Sequence, residues 1–489
     1  MKSSLKIVFK GIGLIFAVIA GATCVALIPA IYFREWNMIL GILVTIALYG
    51  GIGAIVYQVC KEAPEPKLKH AMITASLGWL LVALMGSVVF MLLAGMDFWS
   101  SFFESMSGWT GTGLTMIANP SQLPATLQFW RSLMEWIGGV GVILLTLVII
   151  ARPGTGSFTL YKSETREEKI KPSIISTVRT IWWIYLLYTG LSIALFYSVG
   201  MPLWHAINHG MTGIATGGFS VVDNSIASYE NPLIELAALP IMLFGAIAFA
   251  AHYNLLRGRV KRFFLDPQTK ALLILTVVGA LWLSMENFSV YEEASTSLRY
   301  SGFQLVSGLT CTGFQTADIL AWNPGSKIVL AFAMILGGAA GSTAGGIKLF
   351  RGILLAKGIG WRFRRMFAPP HGIYRYKLGN KLLSPEEAMD EVGEAAIISF
   401  LWVIFLMIGI IVLVHSLLPL EIFVDYGIED ILIEVCSAQG NVGLSVGITQ
   451  QSMSVSAKIM LIINMWVGRL EIIPILVMFR TLIRPKVKF

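Results

Sequence analysis

Four short loops carry the groups in this sequence that could coordinate an ion. Each loop is a run of small or hydroxyl-bearing residues, then a glycine, then an apolar residue, and the loops are 107–114, 212–219, 307–314 and 437–444. Stacked rings of backbone carbonyls can replace the hydration shell of a potassium ion, and glycine permits the backbone angles that turn carbonyls toward a common axis. Repetition within one chain indicates duplicated architecture. We therefore expect the loops to converge on one central site through Gly113, Gly218, Gly313 and Gly443.

The composition is that of a membrane protein. Of 489 residues, 56% are hydrophobic and 13% are charged, whereas soluble domains carry about 25% charged residues. The net charge of +8 could indicate an anionic partner, but in a membrane protein basic residues mark the cytoplasmic loops, and we predict no nucleic-acid binding. The spacing of the cysteines suits neither a metal site nor a disulfide framework. We expect free thiols at Cys24, Cys60, Cys311 and Cys436.

Hydrophobic segments flank every loop. Two apolar spans, 11–33 and 37–60, come first, and four units follow, each with a span, a short amphipathic helix, the glycine loop and a second span. The predicted span pairs are 71–96 and 132–151, 181–199 and 232–256, 271–285 and 327–350, and 395–420 and 457–483. We predict an all-α polytopic membrane protein with four span–pore-helix–span repeats around a pseudo-four-fold pore plus two N-terminal transmembrane helices. Its segments are 1–68 (N-terminal helices), 69–155, 156–262 and 263–358 (repeats 1 to 3), 359–392 (cytoplasmic loop) and 393–489 (repeat 4).

The short helix before each loop cannot cross a bilayer. These helices begin near Trp99, Trp204, Glu292 and Gly427 and are about ten residues long, whereas a span needs roughly 20. Irregular backbone at membrane depth survives only where it is buried in protein or lines a water-filled cavity. The C-terminal end of each half-helix carries partial negative charge, which favours a cation. Packing glycines between helices are the alternative, and four loops in register argue against it.

The second span of every unit shares a further feature. A small-residue break follows each loop glycine at a similar offset (138−113=25, 245−218=27, 337−313=24 and 468−443=25), and it lies at Gly138, Gly245, Gly337 and Gly468. The basic clusters all follow an even number of spans, so ten spans would leave both termini in the cytoplasm and open the loops to the outside. Three basic residues are exceptions on the outer side, namely Arg34, Lys327 and Lys458.

The third unit departs from the common pattern in the middle of its second span. Residues 337–346 read GGAAGSTAGG, and each glycine costs about 1 kcal/mol in a helix interior, so the helix should break. A phosphate-binding loop would need a different lysine spacing and a preceding strand. We expect a flexible gate beneath the loops, made of Gly337, Gly338, Gly341, Ser342, Thr343, Gly345 and Gly346.

The fourth unit carries a charge where the first has Gly139. Arg469 lies in the second span, and an arginine near mid-membrane costs roughly 2.5–3.5 kcal/mol unless it faces a partner or water. Glu471 is poorly placed to pair with it, and Glu135 or Glu434 could do so. We interpret Arg469 as a positive barrier in the pore below the loops.

With these residues in view, the chain resembles the Trk/Ktr/HKT superfamily of cation transporters from about Lys69 onward, and most closely the bacterial Trk-type membrane subunit. The resemblance implies that the residues just before and at each loop glycine line a K+ selectivity filter. These residues are Thr110, Gly111, Thr112 and Gly113; Ala215, Thr216, Gly217 and Gly218; Thr310, Cys311, Thr312 and Gly313; and Gly440, Asn441, Val442 and Gly443. A serine in place of Gly113 is associated with sodium selectivity in plant relatives, so glycine in all four units implies potassium.

The resemblance also implies the setting in which the chain works. Members sit in the cytoplasmic membrane among membrane lipid, form homodimers and pair with a cytosolic nucleotide-binding regulatory ring, for which the basic segment 351–381 is a plausible docking surface. The transported ion is K+, with no organic cofactor and no enzymatic activity in the chain. A sodium-conducting or Na+/K+-coupled transporter of the same fold is the alternative. A polytopic membrane enzyme is remote, because the acidic residues are scattered over the outer side.

Overall fold

The computed structural model describes residues 3–141, 174–367, 375–379, 381–417 and 426–483. Within these ranges the chain is helical except for its loops and one small antiparallel hairpin. The predicted end of the second span of unit 1 and the residues that follow it up to 173 lie outside the described residues. The fold is that of an all-α polytopic membrane protein.

The N-terminal helices form two spans that pack tightly against each other. The first span comprises α1 (Ser3–Thr23) and α2 (Leu27–Tyr32), joined by a 3₁₀ turn at Cys24–Ala26, and the second is α3 (Trp36–Cys60). Glycine brings the backbones together, because a Cβ at Gly13 would lie 2.9 Å from the Gly53 carbonyl oxygen, and one at Gly53 would lie 3.0 Å from that of Gly13. Small residues permit this close approach where apolar lipid gives helices little hydrophobic reason to associate.

Each of the four units contains a long first helix, a short helix, a loop and a second helix. Unit 1 has α4 (Leu68–Leu93), α5 (Phe98–Thr110) and α6 (Ala125–Val140). Unit 2 has α7 (Ile174–Ser198), α8 (Leu203–Ile214), α9 (Pro232–Ala246) and α10 (Phe249–Leu256), followed by α11 (Val260–Phe264). Unit 3 has α12 (Pro267–Glu286), α13 (Phe288–Tyr291), α14 (Ala294–Leu309) and α15 (Pro324–Leu336). Unit 4 has α17 (Pro385–Leu417), α18 (Ile428–Gly440), α19 (Val455–Leu470) and α20 (Ile473–Ile483).

The second helices of units 2, 3 and 4 are broken. Those of units 2 and 4 bend within the predicted spans 232–256 and 457–483, and that of unit 3 breaks within 327–350, where its glycine-rich stretch predicted a break. The pairs α9–α10 and α19–α20 each bend by 108°, and α15 ends at Leu336. In unit 4 the bend falls at Glu471 and Ile472, which have φ of +59° and +71°. Six helices of the described residues are long and apolar enough to cross a membrane, or up to eight if each bent pair counts as one span.

The polar segment between units 3 and 4, which we predicted to be the cytoplasmic loop 359–392, contains regular secondary structure. The described residues contain α16 (Leu349–Met366), the hairpin β1 (Tyr376–Leu378) and β2 (Lys381–Leu383), and the start of α17. Tyr376 pairs with Leu383, and Leu378 pairs with Lys381. Helix α16 begins directly after the glycine-rich segment, so any movement of that segment reaches α16 without an intervening linker.

Polar contacts join each second helix to the short helix of the next unit. They are Gln128 with Trp204 at 2.8 Å, Glu235 with Arg299 at 2.7 Å, Lys327 with Asp430 at 2.6 Å and Lys458 with Ser100 at 2.8 Å. The order runs from unit 1 to 2, 2 to 3, 3 to 4 and 4 back to 1. The four units therefore close into a ring that holds the short helices around its centre.

Candidate functional site

The short helices α5, α8, α14 and α18 end with the same backbone geometry. In each, the peptide N–H of the residue before the loop glycine donates to a carbonyl five residues earlier at 2.9 Å, and the pairs are Thr112 to Ser107, Gly217 to Thr212, Thr312 to Ser307 and Val442 to Ser437. This bond closes a helix end whose last residue turns left-handed. The four loops thus leave their helices in the same direction.

Each loop then has two residues with positive φ, separated by one residue. The first is Gly111 (+64°), Thr216 (+51°), Cys311 (+55°) or Asn441 (+52°). The second is the loop glycine, with φ of +85° at Gly113, +87° at Gly218, +80° at Gly313 and +98° at Gly443. A β-branched residue such as Thr216 rarely adopts this conformation, so its presence indicates that the surrounding contacts impose the loop geometry.

The four loop glycines come together in a closed ring. A Cβ added to any of them would approach, closer than 3.0 Å, the carbonyl oxygen that precedes the glycine of the next unit. Gly113 faces the carbonyl of Gly217, Gly218 that of Thr312, Gly313 that of Val442, and Gly443 that of Thr112. Only glycine fits at these four positions. The predicted convergence of Gly113, Gly218, Gly313 and Gly443 is therefore met by the geometry.

Buried hydroxyl and amide side chains form hydrogen bonds that support the ring. The Oγ1 atoms of Thr110 and Thr112 lie 2.7 Å apart, and so do those of Thr310 and Thr312. Asn441 donates from Nδ2 to Thr112 Oγ1 at 2.9 Å and to the Met465 carbonyl at 3.0 Å, which links units 4 and 1. The structure thus brings all four predicted loop segments to one place.

Two cavities lie on opposite sides of the ring. One has a volume of about 1080 Å³ and is lined by residues that follow each glycine, among them Leu114, Phe219, Gln315 and Ser445. The other has a volume of about 480 Å³ and is lined by Gly139, Ser342, Lys348, Asn441 and Arg469, with others. The ring lies between these two cavities, which is the arrangement a permeation path requires.

The glycine-rich segment of unit 3 lines the second cavity. Thr343 lies within this segment, and its hydroxyl group is 2.9 Å from the Gly245 carbonyl, 3.1 Å from the Ile214 carbonyl and 3.0 Å from Thr216 Oγ1. The Gly346 N–H donates to the Gly440 carbonyl at 3.0 Å. The segment is therefore held against the ends of the short helices of units 2 and 4.

Positive φ angles shape that segment. Gly337 (+68°), Gly341 (+72°) and Gly346 (+76°) all adopt them, and Gly337 ends α15 as predicted from the glycine content. The segment approaches the ring at Gly345, where a Cβ would collide with the Gly440 carbonyl, and it packs against itself at Gly338, where a Cβ would touch Ala344. Ser342 closes a turn by donating to the Ala339 carbonyl at 2.6 Å.

Arg469 bonds to backbone carbonyls rather than standing free in the cavity. Its guanidinium donates to Gly138, to Gly139 at 2.9 Å and to Thr343 at 3.2 Å. Gly138 and Gly139 lie in the last turn of α6, where carbonyls have no helical partner and carry partial negative charge. Arg469 therefore ties the end of α6 to the middle of the glycine-rich segment.

The two candidate partners of Arg469 have other roles. Glu135 accepts the Phe219 N–H at 3.0 Å and packs against Gly217, so it supports the loop of unit 2 from behind. Glu434 accepts from the Val446 N–H at 3.1 Å. Glu471, which we expected to be a poor partner of Arg469, forms an ion pair with Arg351.

The buried carboxylate of Glu104 makes two further contacts that we did not predict from the sequence. Glu104 accepts from the Met116 N–H at 2.8 Å and from Arg131 Nε at 2.9 Å, and Arg131 also donates to the Ser220 carbonyl at 2.9 Å. Arg131 therefore joins the loops of units 1 and 2 beside the larger cavity. The sequence does show Glu104 and Arg131 within otherwise apolar helices, and charged residues in such positions usually have a buried partner.

Comparison with known proteins places the chain among cation transporters. The family model for TrkH, described as a cation transport protein, matches residues 35–487. An uncharacterized cation transporter of Methanocaldococcus jannaschii is 34% identical over 487 residues, which is 98% of this chain and 96% of that protein. The Trk system potassium uptake protein TrkH of Salmonella typhimurium is 32% identical over 435 residues, 86% of each chain. The crystal structure of the potassium transporter TrkH from Vibrio parahaemolyticus matches 97% of this chain with a TM-score of 0.81 and 25% identity, covering 98% of that chain.

Proposed function

The chain belongs to the TrkH family of cation transport proteins, and on that basis we propose that it takes up potassium ions through a selectivity filter formed by its four glycine loops. The observation that carries the proposal is the closed ring in which each loop glycine abuts the carbonyl of the next unit. Carbonyl oxygens that converge in this way can replace ion-bound water. The potassium uptake named for the bacterial relatives agrees with this assignment.

The filter residues in this proposal are the four segments 110–113, 215–218, 310–313 and 440–443. Each contributes backbone carbonyls, and the helix ends behind them add partial negative charge. Glycine at all four loop positions favours potassium over sodium as the transported ion. Cys311 and Val442 contribute through their backbone, since both side chains are fully buried.

The glycine-rich segment of unit 3 is the gate in this proposal. Its contacts with the ends of α8 and α18 hold it across the smaller cavity, where it blocks the path of an ion leaving the filter. Its glycines at 337, 338, 341, 345 and 346 give it the freedom to move aside. Opening must break the hydroxyl contacts of Thr343, which are the most numerous side-chain contacts that we find in the segment.

Arg469 is the barrier in this proposal. Its positive charge lies in the cavity through which a cation must pass, and its bond to the Thr343 carbonyl couples it to the gate. A cation in that cavity is repelled while the gate is closed. Movement of the segment would release one of the contacts that hold Arg469 in place.

The wider setting completes the proposal. We assign the chain to the cytoplasmic (inner) membrane, with both termini in the cytoplasm, as a homodimer whose gate is controlled by a cytosolic nucleotide-binding regulatory ring. The supporting feature is the continuous connection from the gate into the basic helix α16, which carries Arg362, Arg364 and Arg365. Coupling of K+ uptake to H+ or Na+ is a separate property that uptake measurements with and without each ion gradient distinguish.

Growth rescue tests the function directly. A strain that lacks its own potassium uptake systems should grow at low potassium when it expresses the chain, and washed cells should accumulate radioactive rubidium. Excess potassium should compete with rubidium uptake, and excess sodium should not. Sodium competition equal to that of potassium would instead favour the sodium-conducting alternative, and no rescue despite membrane expression would contradict the proposal.

A further inference from the structure

One buried polar side chain recurs at the same place in all four units. It lies nine residues before each loop glycine (113−104=9, 218−209=9, 313−304=9 and 443−434=9), and the four residues, here called the clamp residues, are Glu104, His209, Gln304 and Glu434. All four have no exposed surface. A polar group is rarely buried without a bonded partner, so the shared position calls for a shared contact.

Every clamp residue bonds to the segment that leaves its own loop glycine. Glu104 accepts from Thr115 Oγ1 at 2.9 Å, and Glu434 accepts from Ser445 Oγ at 2.8 Å. His209 Nε2 lies 3.0 Å from Ser220 Oγ. These three partners are each two residues after the glycine of their own unit.

Unit 3 keeps the position but uses an amide. With its side chain oriented to satisfy both neighbours, Gln304 donates to the Phe314 carbonyl at 3.1 Å and accepts from the Thr316 N–H at 3.2 Å. Phe314 directly follows Gly313. All four units therefore have this contact at the same position. The side chain that makes it is a carboxylate in two units, an imidazole in one and an amide in one.

These contacts fasten an irregular backbone segment to a helix. Residues after each glycine have no regular secondary structure, and a filter lined by backbone has no side chains of its own to define its width. Whether selectivity reflects cavity size or the field of the carbonyls, it depends on where those carbonyls are held. Precise positioning of this kind comes from supporting hydrogen bonds on rigid elements.

We infer that the clamp residues are positioning residues that set the width of the filter and so determine which monovalent cation it accepts, an inference that rests on the proposed function. They act from behind the loops, through hydrogen bonds to the exit segments. The carboxylates belong to units 4 and 1, which are adjacent in the ring, and the neutral groups belong to units 2 and 3.

Glu434 is the clamp residue best suited to a test. Its carboxylate accepts from Ser445, from the Val446 N–H at 3.1 Å, and from both the N–H and the hydroxyl of Thr449. All of these groups are donors. In Glu434→Gln the side chain keeps its volume, but its NH₂ group must face at least one donor, whichever way the amide is turned.

The experiment compares uptake of radioactive rubidium and sodium by purified protein in proteoliposomes. Glu434→Gln should lower the rubidium-to-sodium ratio of uptake rates about tenfold, equivalent to about 1.4 kcal/mol. Glu429→Gln is the matched control, because Glu429 lies on the same helix, is partly exposed and is not a clamp residue, and it should keep the wild-type ratio. General loss of folded protein would lower both uptake rates together and leave the ratio unchanged.

A second variant covers the case in which Glu434→Gln fails to fold. Ser445→Ala removes one donor from the loop side and should lower the ratio about threefold, the effect of one hydrogen bond. A wild-type ratio in either folded variant would overturn the inference. Absence of rubidium uptake by the wild-type protein would instead contradict the proposed function, so the two failures are distinguishable.

Discussion

The ammonium group of Lys327 lies 2.6 Å from the carboxylate of Asp430, and both side chains are at most 5% exposed. The pair connects the second helix of unit 3 to the short helix of unit 4. It explains why a lysine is tolerated within an apolar span, since buried charges in membrane proteins pair with one another. It is also one of the four polar contacts that close the ring of units.

Removal of one member of this pair should destabilise the ring. Lys327→Met leaves the Asp430 carboxylate buried without its cation, which costs about 3–5 kcal/mol. We expect a marked fall in the thermal unfolding temperature of the purified protein in detergent, followed by fluorescence-detected gel filtration. The double variant Lys327→Met, Asp430→Leu should recover much of the loss, because no unpaired charge remains.

The pair of Arg299 and Glu235 provides the comparison. It occupies the corresponding place between units 2 and 3, but the Arg299 side chain is 39% exposed. Water reaches this pair from the Arg299 side, although Glu235 is only 8% exposed, so Arg299→Met should destabilise the protein less than Lys327→Met does. Equal destabilisation by Arg299→Met and Lys327→Met would contradict the role given to burial.

Substitution of a loop glycine should abolish selective uptake. In Gly313→Ala the new Cβ would collide with the Val442 carbonyl, and a left-handed backbone costs an L-residue about 1–2 kcal/mol. We expect loss of potassium-dependent growth rescue with normal membrane expression. Gly190→Ala is the control, because Gly190 has open space around it, and a wild-type phenotype for both variants would argue against the ring as the filter.

Weakening the gate should increase ion flux. Thr343→Val keeps the shape of the side chain but loses the hydroxyl group, whose single proton goes to the Gly245 or the Ile214 carbonyl and whose oxygen accepts from Thr216 Oγ1. At about 1 kcal/mol for each of these two bonds, the closed position would lose a substantial part of its stability. Rubidium uptake into proteoliposomes should rise several-fold. Ser342→Ala, whose hydroxyl bonds only within the segment, should have a smaller effect, and unchanged flux in Thr343→Val would count against gating there.

Loss of the positive charge at Arg469 should also increase ion flux. Arg469→Ala removes both the electrostatic barrier and the contact to Thr343, so we expect higher rubidium uptake. Arg469→Lys retains the charge and should conduct less than Arg469→Ala. Reduced uptake by well-folded Arg469→Ala would indicate that the arginine is needed chiefly to cap the end of α6.

The repeated loops made the centre of the molecule predictable. Spacing alone identified Gly113, Gly218, Gly313 and Gly443, because four copies of one short pattern cannot arise from packing needs that differ from helix to helix. The break at Gly337 was predictable for a similar reason, since clustered glycines lower helix stability. Local sequence determines these features.

The size of the bends and the polar partners could not be predicted in this way. The small residues Gly245 and Gly468 lie just before the two turns, but their presence does not specify a bend of 108°. Lys327, Lys458 and Arg469 each bond to groups more than 100 positions away in the chain or in another unit. Such pairings depend on how the units pack, which a single sequence does not record.

The clamp residues lie between these two cases. Their common offset of nine residues was visible in the sequence, but Glu, His and Gln do not resemble one another as residue types. Only the structure shows that each bonds to the segment after its own glycine. Because the four side chains differ in type, their equivalence is recognised from their shared contacts in the structure and not from the residue types.

The most direct test of the filter is to locate the ion itself. Crystals of the protein grown or soaked in rubidium should give an anomalous difference peak inside the ring of carbonyls formed by residues 112–113, 217–218, 312–313 and 442–443, and the peak should weaken when potassium replaces rubidium. A protein that transports rubidium but shows ordered rubidium only outside this ring would contradict the account.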